Sequence, residues 1–189
     1  MKKIVLTLAT IIFSAIVGFT QEIIANQVTG SVTVFGTSNL HDWDVKAEKI
    51  SGYASFKLED GTLASINKLT FNVVAESLKS GKSGMDKNTY AALNTKVHEN
   101  ISYRLTKVLK ITKTGTDIYK VETVGNLSIA GITKSLNITF TTKVYENKIA
   151  LSGSVPIDMV KYNIEPPKAL MGTIKTGKDV KIEFSVQYN

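Results

Sequence analysis

The chain has 189 residues, a formal net charge of +7 and no cysteine. This length allows one domain together with a targeting segment, and the lack of cysteine excludes both a disulfide framework and an acylated lipoprotein cysteine. Arg104 is the only arginine among the 23 basic residues, whereas proteins that read phosphates and bases favour arginine for its bidentate geometry. We therefore do not expect nucleic acid as a partner.

The N-terminus predicts an export signal. Two lysines precede an apolar run from Ile4 to Phe19, and polar sequence follows it. A charged start before a short apolar run is typical of a secretory signal peptide. The run is shorter than the roughly 20 residues of a membrane-spanning helix, and a retained N-terminal anchor is the alternative. We predict a signal peptide over residues 1–21, a mature domain over residues 22–189, and a periplasmic or secreted protein.

The first strands predicted in the mature chain lie between Ser31 and Phe56. Apolar and polar residues alternate on both sides of a short polar turn from Ser38 to Asp42, and the only tryptophan, Trp43, follows that turn. Strict alternation is typical of strands with one buried face and one wet face. The segment therefore predicts a β-hairpin.

The alternation continues along the chain with one interruption. A third strand is predicted over residues 63–75, after which Met85, Thr89 and Leu93 recur at a spacing of four. That spacing predicts one short helix. Alternating segments separated by turns follow the helix, and a loop from Lys161 to Lys178 precedes the last predicted strand.

About eight long antiparallel strands account for these segments. Long strands of this number suit an up-and-down barrel, because closure removes exposed sheet edges. An eight-stranded barrel is also about the size that holds one small ligand. The predicted fold is therefore all-β, an eight-stranded antiparallel barrel with one short helix near the barrel opening. On pattern alone, a two-sheet sandwich is the alternative.

Four parts of the sequence carry a family resemblance. They are Thr37–Trp43 with Ser51–Phe56, Ser77–Gly81 with Met85–Leu93, Gly125–Leu136, and Val180–Val186. In this order they resemble the YceI-like family, the lipid- or polyisoprenoid-binding proteins of the bacterial envelope. The chain departs from the family pattern at His98–Asn100, where a Tyr-Pro pair is absent, and at Lys161–Ile164. Both departures lie at the predicted barrel mouth.

The resemblance implies a lipocalin-like barrel that holds a long isoprenoid or similar amphiphile. It implies no catalytic residue and no cofactor other than a bound lipid. We expect a hydrophobic lipid as the partner, with transient contact to a membrane surface, and the oligomeric state stays open, a dimer included. The alternative function is a ligand-free barrel with a structural or protein-interaction role. An enzyme is the least favoured reading, because no nucleophile constellation is visible.

The inward-facing positions mix large and small side chains, which favours a cavity over a solid core, the alternative. The residues predicted to line the cavity are Trp43, Phe71, Tyr103, Phe140 and Met159. The residues predicted to surround its entrance are Met85, Tyr90, Leu93 and Tyr162.

Two further features could bind a metal or a charged ligand group. His41 with Asp42 and Asp44 suggests a metal site or a hydrogen-bonded polar turn, and His98 is the only other histidine. Because zinc normally takes three or four protein ligands, we expect no metal. Arg104 has outward parity, and only a bulge in its strand would direct it to a ligand headgroup.

Overall fold

The structure is a computed structural model that describes residues 19–146 and 148–189, except for the side chain of Leu170. The predicted signal peptide falls almost wholly outside the described residues, as does Asn147, which the sequence places in one of the turns between alternating segments. The described chain is predominantly β, with a single α-helix. This architecture confirms the predicted all-β class with one helix.

Twelve strands are present in the described residues. In chain order they are β1 (Thr20–Ala25), β2 (Val28–Ser38), β3 (Trp43–Ala47), β4 (Ile50–Glu59), β5 (Thr62–Val74), β6 (Leu78–Lys79), β7 (Asn100–Gly115), β8 (Ile118–Ile129), β9 (Ile132–Val144), β10 (Ile149–Asp158), β11 (Lys168–Ala169) and β12 (Ile174–Tyr188). The helix α1 covers Ser83–Leu93, and short 3-10 turns cover Ala75–Ser77, Met159–Tyr162 and Leu170–Gly172. The predicted boundary after Gln21 therefore lies within β1.

The alternation of the sequence determines which side of each strand is buried. In β8 every odd position from Tyr119 to Ile129 is buried, and no even position is. The buried set includes Thr123 and Gly125 as well as apolar residues. Because successive side chains in a strand point to opposite faces, one face of β8 packs inside the molecule while the other meets solvent.

Tight turns fix the pairing of neighbouring strands. The β4–β5 turn consists of Asp60 and Gly61, and the β8–β9 turn consists of Ala130 and Gly131. All four residues have positive φ, the backbone conformation of the two-residue turns whose twist matches that of the strands they connect. Asp-Gly is a common sequence for such a turn, whereas Ala130 adopts this conformation although alanine rarely does.

The strands form one curled antiparallel sheet. Eleven of them hydrogen-bond in the order β1-β4-β5-β7-β8-β9-β10-β12-β2-β3-β6, and β11 pairs with β12 beside this path. Strands β1 and β2 are neighbours in the chain, yet β1 lies at one end of the order and β2 near the other. The sheet must therefore curl until its two ends approach each other.

The predicted count of eight strands is not confirmed, because the first hairpin is split. Thr33 in β2 lies opposite Lys46 in β3, and Ala25 in β1 lies opposite Ala54 in β4. Ala25 lies eight residues before Thr33, and its partner Ala54 lies eight residues after Lys46, so both ladders share one register. The two ladders belong to one long hairpin whose middle is unpaired, and each half counts as a separate strand.

Helix α1 lies beside β6 at one end of the sheet. The Tyr90 hydroxyl donates a 2.9 Å hydrogen bond to the Leu78 carbonyl, and the Lys79 ammonium donates one of 2.7 Å to the Tyr90 hydroxyl. Asn94 follows the helix in the left-handed conformation (φ 49°), which commonly ends helices. The helix therefore sits where the predicted spacing placed it and is attached to the sheet through Tyr90.

The hydrophobic core fills the interior of the curled sheet unevenly. Toward the end where β12 finishes, Phe56, Tyr119, Val121, Ile149 and Tyr188 are at most 1% exposed. Farther back along β12, Ile182 and Phe184 are only partly buried, as is Val34, which pairs with Ile182. The interior is thus densely packed around Tyr188, and an apolar space lies in its other half.

Candidate ligand-binding cavity

An apolar cavity of about 120 Å³ lies inside the curled sheet. Strands from almost the whole sheet contribute to its wall. The lining residues are Val32, Val34, Leu69, Phe71, Val73, Leu78, Ile101, Ser102, Tyr103, Leu127, Ile138, Phe140, Leu151, Val155, Ile182, Phe184, Val186 and Tyr188. All but three of these are aliphatic residues or phenylalanine, and no residue of the described lining is charged.

The volume sets the size of group that fits. It lies below the roughly 300–1,000 Å³ of typical small-molecule pockets. It is close to that of an engineered apolar cavity of about 150 Å³ that stays dry and binds benzene. As it stands, the cavity is wide enough for one slender apolar chain and too small for a bulky ring system.

Three of the five residues predicted to line the cavity do so. Phe71, Tyr103 and Phe140 are lining residues on β5, β7 and β9, and Phe71 lies directly opposite Tyr103 in the β5–β7 ladder. Their inward direction followed from the period-two pattern, since each sits on the apolar parity of its strand. Their role in binding a ligand stays a prediction.

The other two predicted lining residues lie outside the cavity wall. The Trp43 ring covers Gly36 on the neighbouring strand, and its indole nitrogen donates a 2.9 Å hydrogen bond to the Thr37 carbonyl. These contacts hold the ring at the hairpin end. Met159 is buried but belongs to the 3-10 turn after β10. Strand β10 ends at Asp158, one residue before Met159, so the alternation of the strand no longer sets the direction of Met159.

None of the four residues predicted for the entrance lines the cavity. Tyr90 comes nearest, because its hydroxyl binds the carbonyl of Leu78, a lining residue. Met85 and Leu93 lie on the same helix, and Leu93 is buried. Tyr162 is buried in the 3-10 turn after β10, where desolvation raises its pKa. The four therefore lie on two segments that follow β6 and β10, and an entrance role stays a prediction.

Glycines on adjacent strands make room for the aromatic side chains of the wall. A methyl group at Gly125 would overlap the Tyr103 ring and hydroxyl. A methyl group at Gly153 would lie 2.9 Å from Phe184 Cζ and 3.1 Å from Phe140 Cβ, closer than carbon atoms pack. The rings of Phe140 and Phe184 meet edge to face at 6.5 Å. The aromatic rings thus lie against the wall over glycines, which leaves the centre open.

The two tyrosine hydroxyls of the lining use their protons within the protein. Tyr188 donates a 2.8 Å hydrogen bond to the Thr70 carbonyl. The Tyr103 hydroxyl lies 3.3 Å from that of Thr123, which itself donates to the Ile138 carbonyl, so Tyr103 must be the donor between them. Burial raises the pKa of Tyr103, although its bond to Thr123 partly opposes this effect.

Burial also raises the pKa of Tyr188, and its closeness to Tyr103 raises it further. Both hydroxyls therefore stay neutral at any physiological pH. Because charges are costly to bury without a partner, a cavity with these walls suits the neutral part of a ligand.

Tyr188 is one of the fifteen lining residues that the sequence analysis did not name for the cavity. Its parity on the last predicted strand pointed inward, but nothing in the sequence indicates that its hydroxyl reaches β5, 118 residues away along the chain. Its ring meets that of Phe56 edge to face at 6.1 Å. A methyl group at Gly52 would lie 2.9 Å from the Tyr188 hydroxyl, so a glycine again makes room for an aromatic ring.

The polar candidates lie apart from the cavity. Arg104 is exposed on β7, and the irregularities of the β7–β8 ladder begin only after Leu105, so its outward direction is kept. The ring of His41 contacts the Asp42 carbonyl in the hairpin turn, whereas His98 lies against Gly131. Across residues 19–146 and 148–189, no three acidic or histidine side chains are grouped as metal ligands would be.

No α-helix in the part of the chain that the structure describes has the length and apolar character needed to span a membrane.

The fold and the cavity define a class of β proteins in which a curled antiparallel sheet surrounds an apolar interior space. A family model, the YceI-like domain, matches residues 17–188. The chain belongs to the YceI-like family, which confirms the resemblance found in its sequence. No curated protein sequence matches the chain.

Solved structures share this fold at low sequence identity. A polyisoprenoid-binding domain from Saccharophagus degradans has a TM-score of 0.69 and 10% identity, over 89% of this chain and 99% of that domain. Burkholderia cenocepacia BcnA has a TM-score of 0.66 and 15% identity, over 85% and 96% of the two chains. The Campylobacter jejuni YceI protein has a TM-score of 0.57 and 14% identity, over 100% and 93%. At these identities the likeness concerns the fold alone.

Proposed function

We propose that this protein binds an isoprenoid-like lipid chain in the cavity inside its curled sheet. The observation that carries this proposal is the lining itself, in which aliphatic and phenylalanine side chains from eight strands surround one space without a charged group. The family is one of binding proteins, and a neighbour of the same fold is a polyisoprenoid-binding domain. We propose no catalytic role.

The energetics of such a site favour an apolar chain. Burying one methylene group stabilises a complex by about 0.8 kcal/mol, so a few branched units supply most of the free energy of micromolar binding, about 8 kcal/mol. A charged headgroup would have no counter-ion inside the described wall. The headgroup therefore belongs outside the cavity, on the side of α1.

The finer features of the sequence prediction are part of the same proposal. We propose that the split hairpin behaves as two continuous strands, so that the sheet closes as an eight-stranded barrel around the lipid. The predicted signal peptide makes the bacterial envelope, periplasmic or secreted, the proposed location. There the protein would carry or sequester lipid and touch membrane surfaces transiently.

The alternative is a barrel without a ligand that serves a structural or interaction role. The two differ in what co-purifies with the protein. We expect native mass spectrometry of the purified full-length chain to show a bound lipid, and organic extraction to release it. A protein that stays empty, both as purified and after incubation with a prenol, would favour the structural role.

Matched variants test whether the lipid lies in the cavity. Ile182 lines the cavity on β12, whereas Ser185 on the same strand is exposed on the opposite face. We expect Ile182→Trp to fill the cavity and abolish lipid binding, and Ser185→Trp to leave binding unchanged. Equal binding by both variants would contradict the proposed site.

A further inference from the structure

The cavity is closed at one end by a single side chain. Tyr188 crosses the interior from β12 to β5, where its hydroxyl binds the Thr70 carbonyl at 2.8 Å. Tyr188 is only 1% exposed although it lines the cavity. Anchored at its backbone by β12 and at its hydroxyl by β5, the ring is held across the space as a floor.

Dense packing continues below this floor. The Phe56 ring meets Tyr188 edge to face, and Ile149 lies opposite Tyr188 in the β10–β12 ladder. Both Phe56 and Ile149 are 0% exposed. Because close-packed interiors hold few voids larger than a water molecule, a chain that enters from the α1 side cannot pass beyond Tyr188 unless these residues move.

The wall also gives the depth of the space above the floor. On β12 the lining residues run from Ile182 to Tyr188 at alternate positions, which is about 20 Å of strand. With the strand tilt of roughly 35–45° found in barrels, the depth is about 14–16 Å. An extended chain advances about 1.2 Å per bond, as the backbone does at about 3.6 Å per three bonds. A four-bond isoprene unit therefore occupies about 5 Å.

We infer that Tyr188 sets the depth of this space and limits the buried part of the ligand to at most about three isoprene units, for which the cavity of about 120 Å³ must widen as the chain enters. This inference rests on the proposed lipid-binding function and specifies the ligand's dimensions. Shorter prenols fit wholly inside, and each added unit buries more surface. Longer prenols bind with the remaining units outside the wall, so that affinity stops rising with chain length.

The test is a series of linear prenols with two, three, four and nine isoprene units, each displacing an apolar fluorescent dye from the full-length protein. We expect affinity to rise by roughly tenfold or more from two units to three, since each buried methylene contributes about fourfold. From four units to nine we expect a gain of less than about fivefold. A larger gain would overturn the inference.

Variants at the floor make the assignment specific to Tyr188. Tyr188→Leu removes the ring, and we expect the length at which affinity stops rising to increase by about one unit. Val186→Phe adds volume just above the floor on the same strand, and we expect that length to decrease. Tyr188→Phe keeps the ring and should leave it unchanged.

The outcomes separate this inference from the function on which it rests. If no prenol of any length binds, the lipid-binding function fails and the length limit fails with it. If prenols bind but neither Tyr188→Leu nor Val186→Phe moves the limiting length, lipid binding stands and the role of Tyr188 is overturned. Should Tyr188→Leu not fold, Val186→Phe and the prenol series on the unaltered protein still decide the question.

Discussion

Three of the five aromatic rings of the cavity wall, those of Tyr103, Phe184 and Tyr188, lie against a glycine. Tyr103 occupies the space over Gly125, and Phe184 occupies the space over Gly153. Glycine in a strand is normally unfavourable because it contributes no packing surface. Here the ring of the neighbouring strand supplies that surface, and the pair together keeps the middle of the interior open.

The first prediction concerns one of these pairs. We expect Gly125→Ala to destabilise the fold by about 1–3 kcal/mol, because the new methyl group must displace the Tyr103 ring in a packed wall. Gly115→Ala is the matched control, since the nearest atom to its methyl group is Ile118 Cβ at 3.6 Å. Urea unfolding measures both variants, and an equal effect on the two would contradict this account of Gly125.

A second prediction follows from the buried hydroxyls. In the unfolded chain tyrosine loses its proton near pH 10.0, whereas burial raises the pKa of Tyr103 and Tyr188 in the folded protein. The folded state then binds more protons than the unfolded state above pH 10. We therefore expect stability from these groups to be complete below about pH 10 and to fall as the pH rises further.

Tyr188→Phe tests this pH dependence. The variant loses one hydrogen bond, worth about 1 kcal/mol at neutral pH, but it also loses one titrating group. We expect its free energy of unfolding to fall less steeply between pH 9 and pH 11 than that of the unaltered protein. Identical slopes would show that the Tyr188 pKa is not raised by folding.

Among the elements, α1 is held by few contacts. Tyr90 connects it to Leu78 and Lys79 in β6 through its hydroxyl, and the Asp86 carboxylate accepts hydrogen bonds from the Ser80 amide and hydroxyl. The bonds from Ser80 hold the pKa of Asp86 below its usual value. Besides the packing of Leu93 in the core, side-chain hydrogen bonds therefore attach the helix at two points, one on β6 and one on the turn after it.

We expect Tyr90→Phe to loosen α1 locally without unfolding the sheet. Loss of the hydroxyl removes both bonds to β6, of which the part-buried one to the Leu78 carbonyl contributes about 1 kcal/mol. Hydrogen exchange measured by mass spectrometry should become faster in residues 83–93 and stay unchanged in β8. Tyr145→Phe, in the turn after β9, is the control and should leave exchange in residues 83–93 unchanged. Faster exchange in residues 83–93 of the Tyr145→Phe variant, or throughout the Tyr90→Phe chain, would contradict a local effect.

The sequence predicted the strands better than their divisions. Period-two alternation directed Phe71, Tyr103 and Phe140 inward, because a buried face imposes that period regardless of what the strand pairs with. It did not predict that the first hairpin splits, nor that β6 pairs with β3, since a strand of two residues shows no period. It also did not single out Tyr188, whose contact with Thr70 spans the interior and arises only once the sheet curls.

At the scale of the whole molecule, the interior has a packed half and an open half. In the packed half, Phe56, Ile149 and Tyr188 are at most 1% exposed and stabilise the fold. The open half can therefore stay apolar and unfilled. Small cavities of this kind cost stability in proportion to their size. A ligand that fills the space would recover part of that cost.

We therefore expect a bound prenol to raise the unfolding temperature. A ligand that binds only the folded state stabilises it by about 2.7 kcal/mol at one hundred times its dissociation constant. For a domain of this size that corresponds to a rise of about 5–10 °C. Calorimetry with a three-unit prenol should show the rise for Ser185→Trp and not for Ile182→Trp, and a rise in both would place the prenol elsewhere.

The single register shared by both halves of the first hairpin restricts how the N-terminal part of the chain can change in length. Ile23 and Ala25 face the core from β1, and Val28 and Val32 do so from β2. Both pairs face the core although Ala25 and Val28 are three residues apart, an odd step that would reverse the facing in a regular strand. The residues Asn26 and Gln27, which lie between the two strands, therefore supply a second reversal. Any natural length variation at this junction must keep such a reversal, or Ile23 and Ala25 would turn to solvent.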